Sequence, residues 1–160
     1  MLSLANFPGD SAIVVIDIGG GYGVVSEEIL KAWPHARVTL QDFSAPMLAR
    51  ARQRLAKYLG QVEFLRSDLR DQSWSEPMRE TFDLVVSAIA IHNLYDARLI
   101  EHCYGGIFRL LKPSGLFLDC DFFEYVGGVE KHLTALRECG FTAVECVGQR
   151  EPSAIIKAQK

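Results

Sequence analysis

Three places in this chain combine residue types and spacing that can do chemistry. The first is Asp17 followed by Ile18-Gly19-Gly20-Gly21-Tyr22-Gly23. Glycines let a backbone turn sharply and come close to a ligand. The second is Asp42, about 20 residues beyond that loop, where a carboxylate meets ribose hydroxyls in nucleotide-binding sheets. Together they point to a nucleoside-containing ligand. Each also has a plainer reading, the loop as a tight strand-to-helix turn and Asp42 as an acid at the start of the next helix. A G-x-G-x-x-G fingerprint would need a small residue where Val24 stands, and no G-x-x-x-x-G-K-[ST] occurs, which argues against a P-loop. The third place is His92, a candidate general base because histidine titrates near neutrality. Asn93 and Tyr95 beside it are candidate substrate contacts. The plainer reading of His92 is a ring that bonds a backbone group or lines a pocket.

The elements that must position these residues follow from the apolar pattern. Ala12–Ile18 is a β-branched block closed by glycines, a buried strand. Gly23–Trp33 has helical spacing and is ended by Pro34. Arg37–Gln41 reads as a second strand. Ser44 caps a helix with Pro46 in its first turn, and Gly60 stops it. Val62–Leu65 is a third strand, and Phe82–Ile91 contains a fourth. Asp96 is an N-cap for a helix running to Leu111, where Lys112-Pro113-Ser114-Gly115 breaks it and turns into a fifth strand, Leu116–Asp121. Val129–Cys139 is an amphipathic helix stopped by Gly140. Thr142–Val147 and Ala154–Ala158 close the chain as strands too closely connected for a parallel crossover.

Strand–helix alternation with continuous apolar strands predicts an α/β fold. The expected architecture is a doubly wound, mostly parallel seven-stranded sheet with an antiparallel C-terminal hairpin and helices on both faces. Ligands in such sheets bind beyond the carboxyl ends of the strands. The 160 residues form one domain, 1–160, with 49% hydrophobic and 23% charged residues, which excludes disordered, collagen-like and coiled-coil chains. A domain of this size should expose about 8,000 Å² when folded. The formal net charge of −3 carries no overall nucleic-acid footprint. Arg50, Arg52, Arg54 and Lys57 read as a solvated helix face. No apolar run approaches a membrane span, and the first ten residues lack the features of a signal peptide. Cys103, Cys120, Cys139 and Cys146 form no C-x-x-C pair and read as free thiols in a reducing cytoplasm. His35, His102 and His132 fall on predicted surface turns or helices and show no metal spacing, so no metal is expected.

The ordered set of motifs resembles the class I S-adenosylmethionine-dependent methyltransferases. Val15–Gly23 looks like their first motif, and Val38–Leu48, an acid followed by S-x-x-M-L, like their second. Val62–Leu69 resembles the third, and Phe82–Ser87 through His92-Asn93-Leu94 the fourth. Leu110–Leu116 and Leu136–Phe141 resemble the turn before the fifth strand and the entry to the sixth. The resemblance implies S-adenosylmethionine as cofactor and roles position by position. The Gly19, Gly20, Gly21, Tyr22, Gly23 backbone would pass under its methionine part, with Asp17 near the ammonium group. Asp42 would accept from the ribose hydroxyls, Phe43 would cover an adenine face, and Met47 and Ser67 would lie beside them. Asp68 would accept from the adenine amino group with Leu69 packed next to it. Ser87 and Ala88 would flank the methionine part and the transferable methyl. As a surface acid, Asp42 should be replaceable by Ala with a loss of affinity and little change in stability.

The implied activity is methyl transfer to a small molecule by in-line displacement, mainly through positioning. The alternatives are a non-catalytic cofactor-binding module, a partner-dependent methyltransferase subunit, and a nicotinamide-dependent oxidoreductase. Few residues precede the first strand, and only Phe122–Gly128 separates the fifth strand from the next helix. That leaves Phe122, Phe123 and Tyr125 at the ligand edge without a lid. Phe123 is therefore a candidate substrate contact, and a second copy of the chain or a protein partner a candidate cover.

Overall fold

A computed structural model describes all 160 residues. Seven strands form one sheet: β1 Val14–Ile18, β2 Arg37–Asp42, β3 Val62–Arg66, β4 Phe82–Ala88, β5 Leu111–Asp121, β6 Thr142–Arg150 and β7 Ser153–Gln159. Their order is β3-β2-β1-β4-β5-β7-β6. β1 to β5 run parallel, and β7 enters antiparallel between β5 and β6. The predicted hairpin is present, with Glu151-Pro152 between its strands.

Helices cover both faces because each strand alternates its apolar side chains. Val15, Leu40, Leu84 and Leu118 pack with α1 (Val24–Ala32) and α2 (Ala45–Arg54). Ile16, Ile18, Val85 and Phe117 pack with α3 (Ala97–Leu110) and α4 (Val129–Glu138). Ser44 caps α2 and accepts from the Met47 N–H, and Asp96 caps α3 through two backbone N–H groups. Gly106 lets Trp74 lie flat on α3, since a Cβ there would come within 2.6 Å of the indole. The exposed surface is 7960 Å², close to the area expected for the size. No helix is long and apolar enough to cross a membrane.

Three expectations need correction. α2 ends at Arg54 and a 3-10 turn, Ala56–Tyr58, fills the stretch before Gly60. Residues 112–115 do not make a free turn. They are the irregular start of β5, where Ser114 and Gly115 exchange backbone hydrogen bonds with Lys160. His132 is not on the surface. It is buried against the Tyr104 hydroxyl at 2.7 Å, and burial pushes its pKa down.

Candidate active site

β1 and β4 are neighbours whose following connections leave in opposite directions, so a crevice opens beyond their carboxyl ends. A cavity of about 480 Å³ occupies it. Gly19 and Gly21 form its floor, Asp42, Phe43 and Met47 one wall, and Ser67, Asp68 and Leu69 another. Ile89, Ala90, Asn93 and Leu94 close the remaining side. The structure thus gathers Gly19, Gly21, Asp42, Phe43, Met47, Ser67, Asp68, Leu69 and Asn93 around one space. Phe43 is 70% exposed, so its ring is free to cover a ligand and is no part of the core.

Two side chains from the end of β2 set this geometry. Asp42 accepts the Gly21 N–H at 2.9 Å through one oxygen and the Ser44 N–H at 2.8 Å through the other. A carboxylate has about four acceptor positions, so lone pairs remain for ribose hydroxyls. Asp42 is only 7% exposed, which overturns its reading as a surface acid: its removal orphans two backbone donors. Gln41, missed in the sequence, is fully buried. It accepts the Gly19 N–H at 3.0 Å and donates to the Ser67 carbonyl at 2.8 Å and hydroxyl at 3.1 Å. One amide therefore ties the glycine loop to the end of β3. The available signal was a polar residue inside the apolar run Val38-Thr39-Leu40-Gln41.

The other predicted contacts lie off the cavity wall. Asp17 sits beneath the loop and accepts from Ser26 Oγ at 2.7 Å. Burial pushes its pKa up to about 7, against the Ser26 hydrogen bonds that lower it. Gly20 bonds the Gln41 carbonyl, and Gly23 is the N-cap of α1. The Tyr22 ring faces outward, with the Arg50 and Arg54 guanidiniums 5.1 and 5.0 Å from its centroid. Ser87 points into the α3 side of the sheet, across from its β5 neighbour Asp119, and both are buried there. Burial above all, and then the nearby Asp121, push the Asp119 carboxyl well above the usual carboxylate range, with Ser87 opposing them. Ser87 and Ala88 are thus strand residues, and the wall assigned to them is made by Ile89 and Ala90. Ile89 holds a φ of 53° with its side chain 53% exposed, an unusual state for a β-branched residue. Gly19 makes the close approach possible, because a Cβ there would lie 2.4 Å from the Ala90 Cβ.

Beside Asn93 the chain builds a second arrangement. The 3-10 turn Ile91–Leu94 folds back over the end of β5. His92 Nδ1 and Asp121 Oδ1 stand 2.5 Å apart, although 29 residues separate them in sequence. Asp121 also accepts the backbone N–H groups of His92 at 3.0 Å and Phe122 at 2.8 Å. A carboxylate at Nδ1 requires the shared proton on that side and leaves the neutral ring's lone pair on Nε2. Tyr95, Phe122 and Tyr125 surround the ring at centroid distances of 6.4, 5.3 and 5.7 Å. Phe123 does not join them. The 3-10 turn Phe123–Val126 sends it into the core against His132 at 4.9 Å, which removes it as a substrate contact. The three aromatics after β5 therefore do not form one uncovered face.

Comparison with known proteins identifies the family and the fold. The methyltransferase domain family matches residues 15–115. Malonyl-[acyl-carrier protein] O-methyltransferase of Magnetococcus marinus is 33% identical over 113 residues, 71% of this chain and 39% of the relative. Trans-aconitate 2-methyltransferase of Azoarcus is 35% identical over 112 residues, 69% of this chain and 43% of the relative. This chain therefore spans about two-fifths of the length of these relatives. A crystal structure of a SAM-dependent methyltransferase from Aquifex aeolicus superposes with a TM-score of 0.79 at 21% identity, covering 99% of this chain and 87% of that one.

Proposed function

The chain belongs to the class I S-adenosylmethionine-dependent methyltransferases, and on that premise we propose that it methylates a small-molecule acceptor delivered beside the His92 ring. The observation that carries the reading is the pair Gln41–Asp42. It braces the glycine loop against β2 and β3 around the cavity, while Asp42 keeps acceptor positions free. A nucleoside fits that wall: Asp42 for the ribose, Phe43 and Leu69 as apolar faces, and Asp68 for an amino group. Asp17 lies under the loop, where a ligand ammonium would favour its charged form. Bound there, S-adenosylmethionine would supply an electrophilic methyl group on a sulfonium centre, and the leaving group, a neutral thioether, would need no acid from the protein.

What remains for the protein is positioning, and good alignment alone lowers a barrier by roughly 7–11 kcal/mol. His92 takes a proton from acceptors that carry one, and Asp121 holds the ring for it. The relatives' names describe a malonyl group on a carrier protein and free trans-aconitate, and the second supports the small-molecule reading. Calorimetric titration with S-adenosylhomocysteine tests the proposal. Saturable binding is expected, weakened roughly 30- to 1,000-fold in Asp42→Ala. A folded protein that binds none at millimolar concentration overturns it.

A further inference from the structure

The surface next to the cavity, beyond Asn93 and Leu94, is furnished for one kind of acceptor. Resting on the reading of this chain as a methyltransferase, we infer that its acceptor is a flat molecule with a hydroxyl still protonated at neutral pH, a phenol or an enol, seated among Tyr95, Phe122 and Tyr125 with its O–H at His92 Nε2. Two independent observations carry this.

The first is the His92–Asp121 pair. Asp121 holds the ring through Nδ1 and through the backbone N–H, so Nε2 has a fixed direction. No other group of the protein bonds Nε2. A base oriented in this way suits an acceptor that must lose a proton. A carboxylic acid is already ionised at neutral pH and needs a cation instead. The groups closing on His92 are Asp121 and three aromatic rings, none of them cationic. Arg70 is the single cation lining the neighbouring cavity, and it lies next to Asp68. This chain therefore departs from relatives whose names describe carboxylate acceptors.

The second is the rim. Tyr95 is 72% and Tyr125 66% exposed, yet both rings gather on the same histidine as Phe122. Phe122 and Tyr125 stand edge to face at 5.9 Å. Ring faces grouped in this way favour a flat π-partner over a branched aliphatic one. In the step itself the acceptor O–H bond breaks and its proton passes to Nε2. The electron pair stays on the oxygen as the nucleophile, and the imidazolium charge faces Asp121. The proton leaves to water when the product departs. Asp121 is a positioning residue, since it acts through His92.

The test uses 4-nitrocatechol, whose absorbance reports its ionisation, added to protein saturated with S-adenosylhomocysteine at a pH below the probe's own pKa. The bound probe should be ionised at least about tenfold beyond the free probe, one pKa unit. His92→Gln should bind the probe yet lose the excess ionisation, and Asp121→Asn should lose most of it. Tyr125→Ala and Phe122→Ala should each weaken the probe by about 2- to 10-fold. Trans-aconitate and cyclohexylamine should compete poorly in the wild type. Tighter binding of either than of the probe, or no excess ionisation of the bound probe, overturns the inference. The wild-type arms stand even if a variant fails to fold. Failure to bind S-adenosylhomocysteine, read before the probe is added, overturns the methyltransferase reading itself.

Discussion

On the β2–β3 side of the crevice the polar side chains are tied down from within. Gln41 spans from the glycine loop to Ser67, Asp42 holds Gly21 and Ser44, and Asp68 accepts the Arg70 N–H. On the β4–β5 side the largest side chains stand free. Ile89, Tyr95 and Tyr125 are all more than half exposed, and two of them sit on residues with positive φ. One half is a preorganised cradle for a constant ligand. The other presents one fixed dyad and loose apolar surface, which is where acceptor choice can vary without disturbing the cradle. Variants that separate the two halves test this contrast.

The largest effect should come from the acid buried under the cradle. Asp17 has a folded pKa of about 7 against 3.8 for the ordinary carboxylate. Between those values the folded state binds more protons than the unfolded one. Stability is therefore highest near the lower value, falls as pH rises through the window, and is level above it. Asp17→Asn fixes the neutral form and can still accept from Ser26. Its stability relative to wild type should rise with pH, reaching about 4 kcal/mol at most by about pH 8. Urea unfolding near pH 4 and pH 8 measures the difference, and a constant offset would remove Asp17 from the account.

Next come the two ties of the cradle. Asp42→Ala should lower cofactor affinity by about 2–4 kcal/mol, roughly 30- to 1,000-fold. It should also cost about 1–3 kcal/mol of stability without ligand, because the Gly21 and Ser44 N–H groups lose their acceptor. Gln41→Leu should cost about 2 kcal/mol by orphaning the Gly19 N–H and the Ser67 carbonyl. Denaturation midpoints with and without S-adenosylhomocysteine separate the two readouts. A stability-neutral Asp42→Ala would mean that the loop holds itself.

The cradle was legible in sequence because its parts announce themselves: a glycine run after an apolar strand, and an acid at a set distance. The sheet was legible for the same reason, since each strand is a continuous apolar run and the last two are too close for a crossover. The acceptor half was not. Asp119 and Asp121 share one face of β5 and look alike in the sequence. Only the fold-back of Ile91–Leu94 selects Asp121 as the partner of His92, while Asp119 stays buried in the core. Likewise a single 3-10 turn sends Phe123 inward and Tyr125 outward, a choice that no spacing rule encodes. Gln41 was hidden because a polar residue at a strand end reads as a solvated edge until the partner strand is known.

The smallest expected effect bears most directly on the contrast. Ile89 gives no sign in the sequence of its φ of 53°, a state normally signalled by Gly or Asn. The left-handed backbone costs an L-residue roughly 1–2 kcal/mol, and β-branching adds crowding. Its side chain is 53% exposed, so little burial offsets that cost. Ile89→Gly removes the strain, but glycine also gives the unfolded chain about 0.4–1 kcal/mol more entropy to lose. The net should be a gain of at most about 1.5 kcal/mol. Ile89→Ala keeps an L-residue at the same φ and should show less gain. If the half is built for function at the expense of stability, Ile89→Gly should stabilise the fold and still weaken S-adenosylhomocysteine, whose cavity loses that wall. Thermal unfolding beside calorimetry reads both quantities. A destabilised Ile89→Gly would show that the segment is held by packing after all, and that the two halves differ less than their hydrogen bonds suggest.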